Sequence, residues 1–159
     1  MSMKILLLVI GKTDEDYVFH GLEKYKNRLK HYINFEYEEI LDLKNRKTLS
    51  KDQQKKQESE LIFSRLKMGD KVVLLDEKGV SFGSVEFSKY LQKKMNSGIK
   101  RLVFIVGGPY GFDKSIYDKH QDKLSLSKMT FSHQMARLFF CEQLYRALTI
   151  LKNEPYHHE

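Results

Sequence analysis

Arg101-Leu-Val-Phe-Ile-Val106 runs without interruption into Gly107-Gly-Pro-Tyr-Gly111. After Arg101 every residue of the first stretch is apolar, with no alternation of polar positions. That pattern belongs to a strand covered on both faces, as in the centre of a parallel sheet. The turn that follows stands at the carboxyl end of the strand, where open parallel sheets collect ligands. Its glycines let a ligand approach the backbone closely, and Pro109 fixes the turn while removing one donor. Two more strand ends carry comparable loops. Leu75-Asp-Glu-Lys-Gly79 follows the apolar run Lys71–Asp76, and Leu124-Ser-Leu-Ser-Lys-Met-Thr130 contains and follows a brief strand at Lys123–Leu126.

Outward from these loops, strands and helices alternate. Lys4–Ile10 is another buried strand, ending at Gly11. Thr13-Asp14-Glu15-Asp16 has the form of a capping box with Asp16 in place of Glu or Gln. It predicts a helix to about Tyr32 with Val18, Leu22, Tyr25 and Leu29 on one face. A second strand is expected near residues 34–41. A helix opens at Ser50-Lys-Asp-Gln53, and another is capped by Ser84, carries Phe87, Leu91 and Met95, and stops at Gly98. A turn is expected at Glu77-Lys78-Gly79. A last helix runs from about His133 to Lys152. The fold class is therefore α/β, a mostly parallel sheet with helices on both faces. Only two prolines occur, with no linker and no repeat, so residues 1–159 read as a single domain.

The charge is basic: 28 Lys+Arg against 21 Asp+Glu give +7. Such an excess suits a polyanionic partner, because cations placed near phosphates release condensed counterions. Lys44, Arg46, Lys47, Lys51, Lys55 and Lys56 form the densest basic stretch, which reads either as a solvated face or as a nucleic-acid contact. Cys141 is the only cysteine, so no intrachain disulfide points to an oxidising compartment. The apolar run near the start is only six residues, too short for a signal peptide, and nothing approaches the ~18 apolar residues of a membrane span. A cytoplasmic location and no membrane association are expected.

Several chemistries are excluded. There is no Gly-Lys-Ser/Thr phosphate loop, no spaced Gly-x-Gly-x-x-Gly and no Gly-x-Ser-x-Gly elbow. Adjacent His157 and His158 beside Glu159 make a poor closed metal site, so no metal is expected. Cys141, next to Phe139 and Phe140, reads as a small buried hydrophobe rather than a nucleophile.

Read together, Leu75-Asp-Glu-Lys-Gly79, Ile105-Val-Gly-Gly-Pro-Tyr-Gly111, Leu124-Ser-Leu-Ser-Lys-Met-Thr130, His133-x-x-x-Arg137, Glu142-Gln-Leu-Tyr-Arg-Ala147 and Pro155-Tyr-His157 closely resemble one family. It is the ribosomal RNA large-subunit methyltransferase H family of the SPOUT superfamily, and the resemblance runs from Lys4 to Glu159. It implies a C-terminal trefoil knot, a homodimer, S-adenosylmethionine as methyl donor, and methylation of N3 of a pseudouridine in 23S rRNA on the assembled ribosome. Carried over, the donor site comprises Leu75, Gly107, Gly108, Ser127, Lys128, Met129, Thr130, Phe131 and Ser132. Backbone groups would hold the adenine and ribose edges, with Leu75 and Met129 as apolar walls. The rival readings are a SPOUT enzyme acting on another rRNA or tRNA nucleotide, and a non-catalytic RNA-binding protein.

An activated sulfonium needs mainly in-line placement of the acceptor, but a pseudouridine N3 proton must also leave. His133, Arg137, Tyr145, Tyr156, His157 and His158 are the acceptor-side candidates. Arg137 is expected to hold phosphate or the developing anion, Tyr156 to stack on an unpaired base, and His157 to remove the proton. Their ordinary alternatives are a capping role for His133, a dimer-face role for Tyr145 and Arg146, and a solvated tail. His158 stands where the family usually carries Arg or Lys, so a fixed cation is lacking there. Finally, the last helix is apolar nearly all round (Leu138, Phe139, Phe140, Leu144, Ala147, Leu148, Ile150, Leu151), which calls for a second subunit to cover it.

Overall fold

The computed structural model describes residues 2–158; Met1 and Glu159 lie outside the described residues. Five strands form one sheet in the order β2-β1-β4-β3-β5: β1 (Lys4–Ile10), β2 (Asn34–Ile40), β3 (Lys71–Ser81), β4 (Arg101–Val106) and β5 (Lys123–Ser125). Every pairing is parallel. The helices are α1 (Asp16–Leu29), α2 (Lys51–Arg65), α3 (Ser84–Met95), α4 (Lys114–Lys119) and α5 (His133–Leu151), with a 3-10 turn at Arg46–Thr48.

The central strands β1 and β4 are apolar at consecutive positions because both of their faces are covered. Ile5, Leu7 and Val9 of β1 and Leu102, Phe104 and Val106 of β4 pack with Val18 and Leu22 of α1, Leu91 of α3, and Phe140 and Leu144 of α5. Leu6, Leu8, Ile10, Val103 and Ile105 point the other way, onto Ile62 of α2 and Ile116 of α4. The domain is thus three layers, with α5 packed between α1 and α3 beneath the sheet.

Three local expectations differ from the structure. Thr13 does not cap α1: its amide donates to Glu39 at 2.6 Å and its hydroxyl meets Tyr37 at 2.6 Å, so it ties the β1 loop to β2 instead. The α1 N-cap is Glu15, with no side-chain bond. Ser84 is the first helical residue of α3; Gly83 precedes it, and Glu86 accepts the Gly83 amide at 3.0 Å. The Glu77-Lys78-Gly79 segment is not a turn. Strand β3 shifts register there and continues so that Val80 and Ser81 pair with β5. A Cβ on Gly79 would lie 2.5 Å from the Lys123 carbonyl carbon, so only glycine lets the two backbones meet this closely. The Ser50/Gln53 capping box of α2 is present as expected.

Candidate active site

The carboxyl ends of β4 and β5 and the register shift of β3 open onto one cleft of about 560 Å3. That volume falls within the range of small-molecule sites. Its lining includes Leu75, Gly107, Gly108, Ser127, Met129, Thr130, Phe131 and Ser132, and also His133. Of the residues expected at a donor site, Lys128 alone does not line it.

The loops are held by their own polar groups. Ser127 Oγ accepts the Met129 amide at 2.9 Å, and Ser125 Oγ donates to the Ser127 carbonyl at 2.8 Å. Thr130 Oγ1 donates to Glu77 at 2.9 Å, clasping the β5 loop to the register shift of β3. Tyr117 donates to Asp76, whose other oxygen accepts the Lys78 amide at 2.8 Å. Ser132 caps α5 by accepting the Met135 amide at 3.2 Å. Met129 is 76% exposed, a large apolar side chain left in water at the rim.

The glycine pair is tight from behind. A Cβ on Gly108 would stand 2.7 Å from Glu58 Oε1 of α2, and one on Gly107 would stand 3.2 Å from the Phe112 ring. Burial pushes the Glu58 carboxyl above its ordinary value, opposed by a 3.1 Å hydrogen bond from Gln54. The floor of the cleft is therefore backbone, resting on a buried carboxyl group.

The acceptor-side candidates do not gather in one place. His133 lines the cleft, and burial, aided by the charge of Arg137, holds its imidazole below the ordinary value. Arg137 corrects the sequence reading. It is 0% exposed, and its guanidinium donates to the carbonyls of Ile10 at 3.1 Å, Gly11 at 3.0 Å and His133 at 3.2 Å. It also bonds Thr13 Oγ1 at 2.9 Å and Tyr37 at 3.3 Å. All three of its nitrogens bond inside the fold and the side chain is fully buried, so it pins α5 to the end of β1 and presents no exposed donor to an anion.

Tyr156 and His157 sit farther along α5. Tyr156 donates to Glu142 at 2.7 Å, and its ring packs edge-on against Tyr145 with centroids 4.7 Å apart. His157 Nδ1 lies 3.1 Å from Arg146 Nη1, and Arg146 bridges Glu142 at 2.8 Å. His158 is exposed. Glu142 and Arg146 were not singled out as site residues in the sequence. Their i,i+4 spacing, which places opposite charges on one helix face, was the available signal. From His133 to Arg146 the helix rises about 20 Å, so the tail cluster and the cleft stand apart within one chain.

Residues 3–157 match the family model described as "Predicted SPOUT methyltransferase". The chain is 62% identical over 157 residues to the ribosomal RNA large subunit methyltransferase H of Parabacteroides distasonis, covering 99% of this chain and 100% of the relative. The corresponding proteins of Christiangramia forsetii (98% and 99% covered) and Flavobacterium johnsoniae (99% and 100% covered) are each 59% identical. The chain belongs to the ribosomal RNA large subunit methyltransferase H family of SPOUT methyltransferases. Two features of the described residues bear on other classes. No helix is long and apolar enough to cross a membrane, and no group of three or more His, Cys, Asp or Glu side chains is disposed to hold a metal.

Proposed function

We propose that this protein transfers a methyl group from S-adenosylmethionine to N3 of a pseudouridine in 23S rRNA, on the assembled ribosome in the cytoplasm. The observation that carries this reading is the convergence of the β4 and β5 loops and the Leu75–Lys78 stretch of β3 on one cleft, in a chain so similar to ribosomal RNA large subunit methyltransferase H along its whole length. The residues present suit such a donor. Gly107 and Gly108 leave backbone groups bare, Leu75 and Met129 offer apolar surface, and the Ser127–Ser132 loop supplies amides and hydroxyls.

When bound, the donor supplies an activated methyl group, and the protein's share is positioning and proton handling. The chain's own residues divide this work. The clasp of Thr130 on Glu77 holds the cleft walls, and His133, whose imidazole burial holds below its ordinary value, borders the opening. Arg146 and Glu142 organise Tyr156 and His157. In the arrangement described, Arg146 donates to Nδ1 of His157, so the imidazole proton belongs on Nε2 and no lone pair is free. Proton removal by His157 therefore requires that the Arg146 contact open. Arg146 then remains as a permanent cation for the oxyanion that develops on the pyrimidine.

A homodimer reconciles the two separated halves. The tail cluster of one protomer completes the cleft of its partner, across a face that includes the exposed Tyr17, Phe19 and Phe139. The crossing of β4 to β5 past β3, followed by the return of α5 beneath the sheet, is the part of the chain we assign to the trefoil knot. Mixed dimers test the arrangement. One protomer truncated after Pro155 and one carrying Gly108→Val should together recover activity that neither homodimer has. Absence of recovery in verified mixed dimers contradicts the shared site.

A further inference from the structure

The turn Gly108–Gly111 holds an aromatic ring in water at the mouth of the cleft. The Gly111 amide donates to the Gly108 carbonyl at 3.1 Å, with Pro109 and Tyr110 as the central residues. Tyr110 lines the cleft and is 45% exposed. The Lys51 ammonium stands 5.3 Å from the centroid of its ring. The ring belongs to neither of the two buried clusters of the fold. Lys51 is also the first residue of α2, where the helix dipole disfavours a cation.

The basic stretch continues around this point. Arg46 is exposed and pairs with Asp42 at 3.0 Å. Asp113, just past the turn, is held below the ordinary carboxylate value first by the Ser115 hydroxyl and amide, then by Lys55 and Lys56. Lys47, Lys51 and Lys56 are exposed. An exposed aromatic on a short turn beside cations is how proteins hold unpaired nucleotides: the ring stacks on a base and the cations meet its phosphates.

We infer that Tyr110 and Lys51 form a docking platform for an unpaired rRNA nucleotide next to the target base. The base stacks on the free face of Tyr110, its phosphate meets Lys51, and the strand continues along Lys47 and Lys55. This rests on the rRNA reading above, and it adds an RNA contact on the glycine turn, apart from the tail. The free face of the ring, and not its hydroxyl, carries the contact.

The test is equilibrium binding of purified 70S ribosomes lacking the modification, measured separately from methyl transfer. Tyr110→Ala should weaken ribosome binding about tenfold while Tyr110→Phe restores it, as stacking on one base requires. Both variants should keep the wild-type melting temperature and bind S-adenosylmethionine within about twofold of wild type. Lys51→Gln should lower the slope of log affinity against log salt by about one. Wild-type ribosome affinity in Tyr110→Ala overturns the inference. So does a loss confined to S-adenosylmethionine binding, which would assign the ring to the donor. Wild-type protein that binds ribosomes through Tyr110 yet transfers no methyl group counts against the proposed reaction and leaves the platform standing.

Discussion

Arg146 and His157 meet at 3.1 Å, guanidinium Nη1 against imidazole Nδ1, at the junction of the last helix and the tail. The contact binds the one basic nitrogen of a neutral imidazole to a group that never gives up its charge. His157→Ala should therefore lower the single-turnover methylation rate by roughly 10²–10⁴-fold, with little change in ribosome affinity. Arg146→Lys, which loses the planar fork but keeps the charge, should fall between wild type and Arg146→Ala. Equal rates for wild type and His157→Ala would remove the imidazole from the chemistry.

Arg137→Leu should unfold at lower denaturant. The substitution takes a donor from the carbonyls of Ile10 and Gly11, each now served by the buried guanidinium, while the Tyr37 hydroxyl keeps Thr13. Leaving a buried acceptor unsatisfied costs about 1–3 kcal/mol, read from the urea midpoint. A variant of wild-type stability with impaired ribosome binding would restore Arg137 to the acceptor side.

Gly108→Ala should lose both stability and donor affinity, since its Cβ would fall 2.7 Å from Glu58 Oε1. Overpacking of this kind costs about 1–3 kcal/mol. Adding Glu58→Ala should return part of the stability, because it removes the atom that is struck. Calorimetric titration with S-adenosylmethionine and thermal melts separate the two effects. No coupling between the two substitutions would show that the contact does not limit the loop.

Acid should weaken the fold through His120 and His133. Burial holds both imidazoles below their ordinary value, and His120 Nε2 is buried with no hydrogen-bond partner. For a group depressed in the folded state, the stability is present above the unfolded value, about 6.5, and is lost as pH falls through the folded value. The urea midpoint should thus drop on going from about pH 7.5 to pH 5.5, and His120→Asn should flatten the decline. An unchanged slope in that variant would clear His120 of the effect.

Much of this was legible in the residues. The unbroken apolar runs at Lys4–Ile10 and Arg101–Val106 meant central parallel strands, and the loops after β4 and β5 do share one cleft with the Leu75–Lys78 stretch, which lies inside β3 and not in a loop. What could not be read were relations between distant segments. Arg137 is one turn from His133 in sequence, yet its partners are Ile10, Gly11 and Tyr37, more than ninety residues away. Thr13 fits a local capping pattern, but Glu39 and Tyr37 take its polar groups first. Gly79 looked like a turn because the backbone of β5, which demands the glycine, lies far along the chain. Glu142 and Arg146 were visible as a helix pair, but only the fold of the tail onto α5 joins them to Tyr156 and His157.

The most direct measurement is nucleoside mass spectrometry on rRNA. Ribosomes from a strain lacking this gene are incubated with the purified protein and S-adenosylmethionine carrying a labelled methyl group, and the 23S rRNA is digested. Label is expected in a single nucleoside, N3-methylpseudouridine, and none when the protein is truncated after Pro155. Label in any other nucleoside, or in tRNA, or no label with a protein shown to bind the donor, would contradict the proposed reaction.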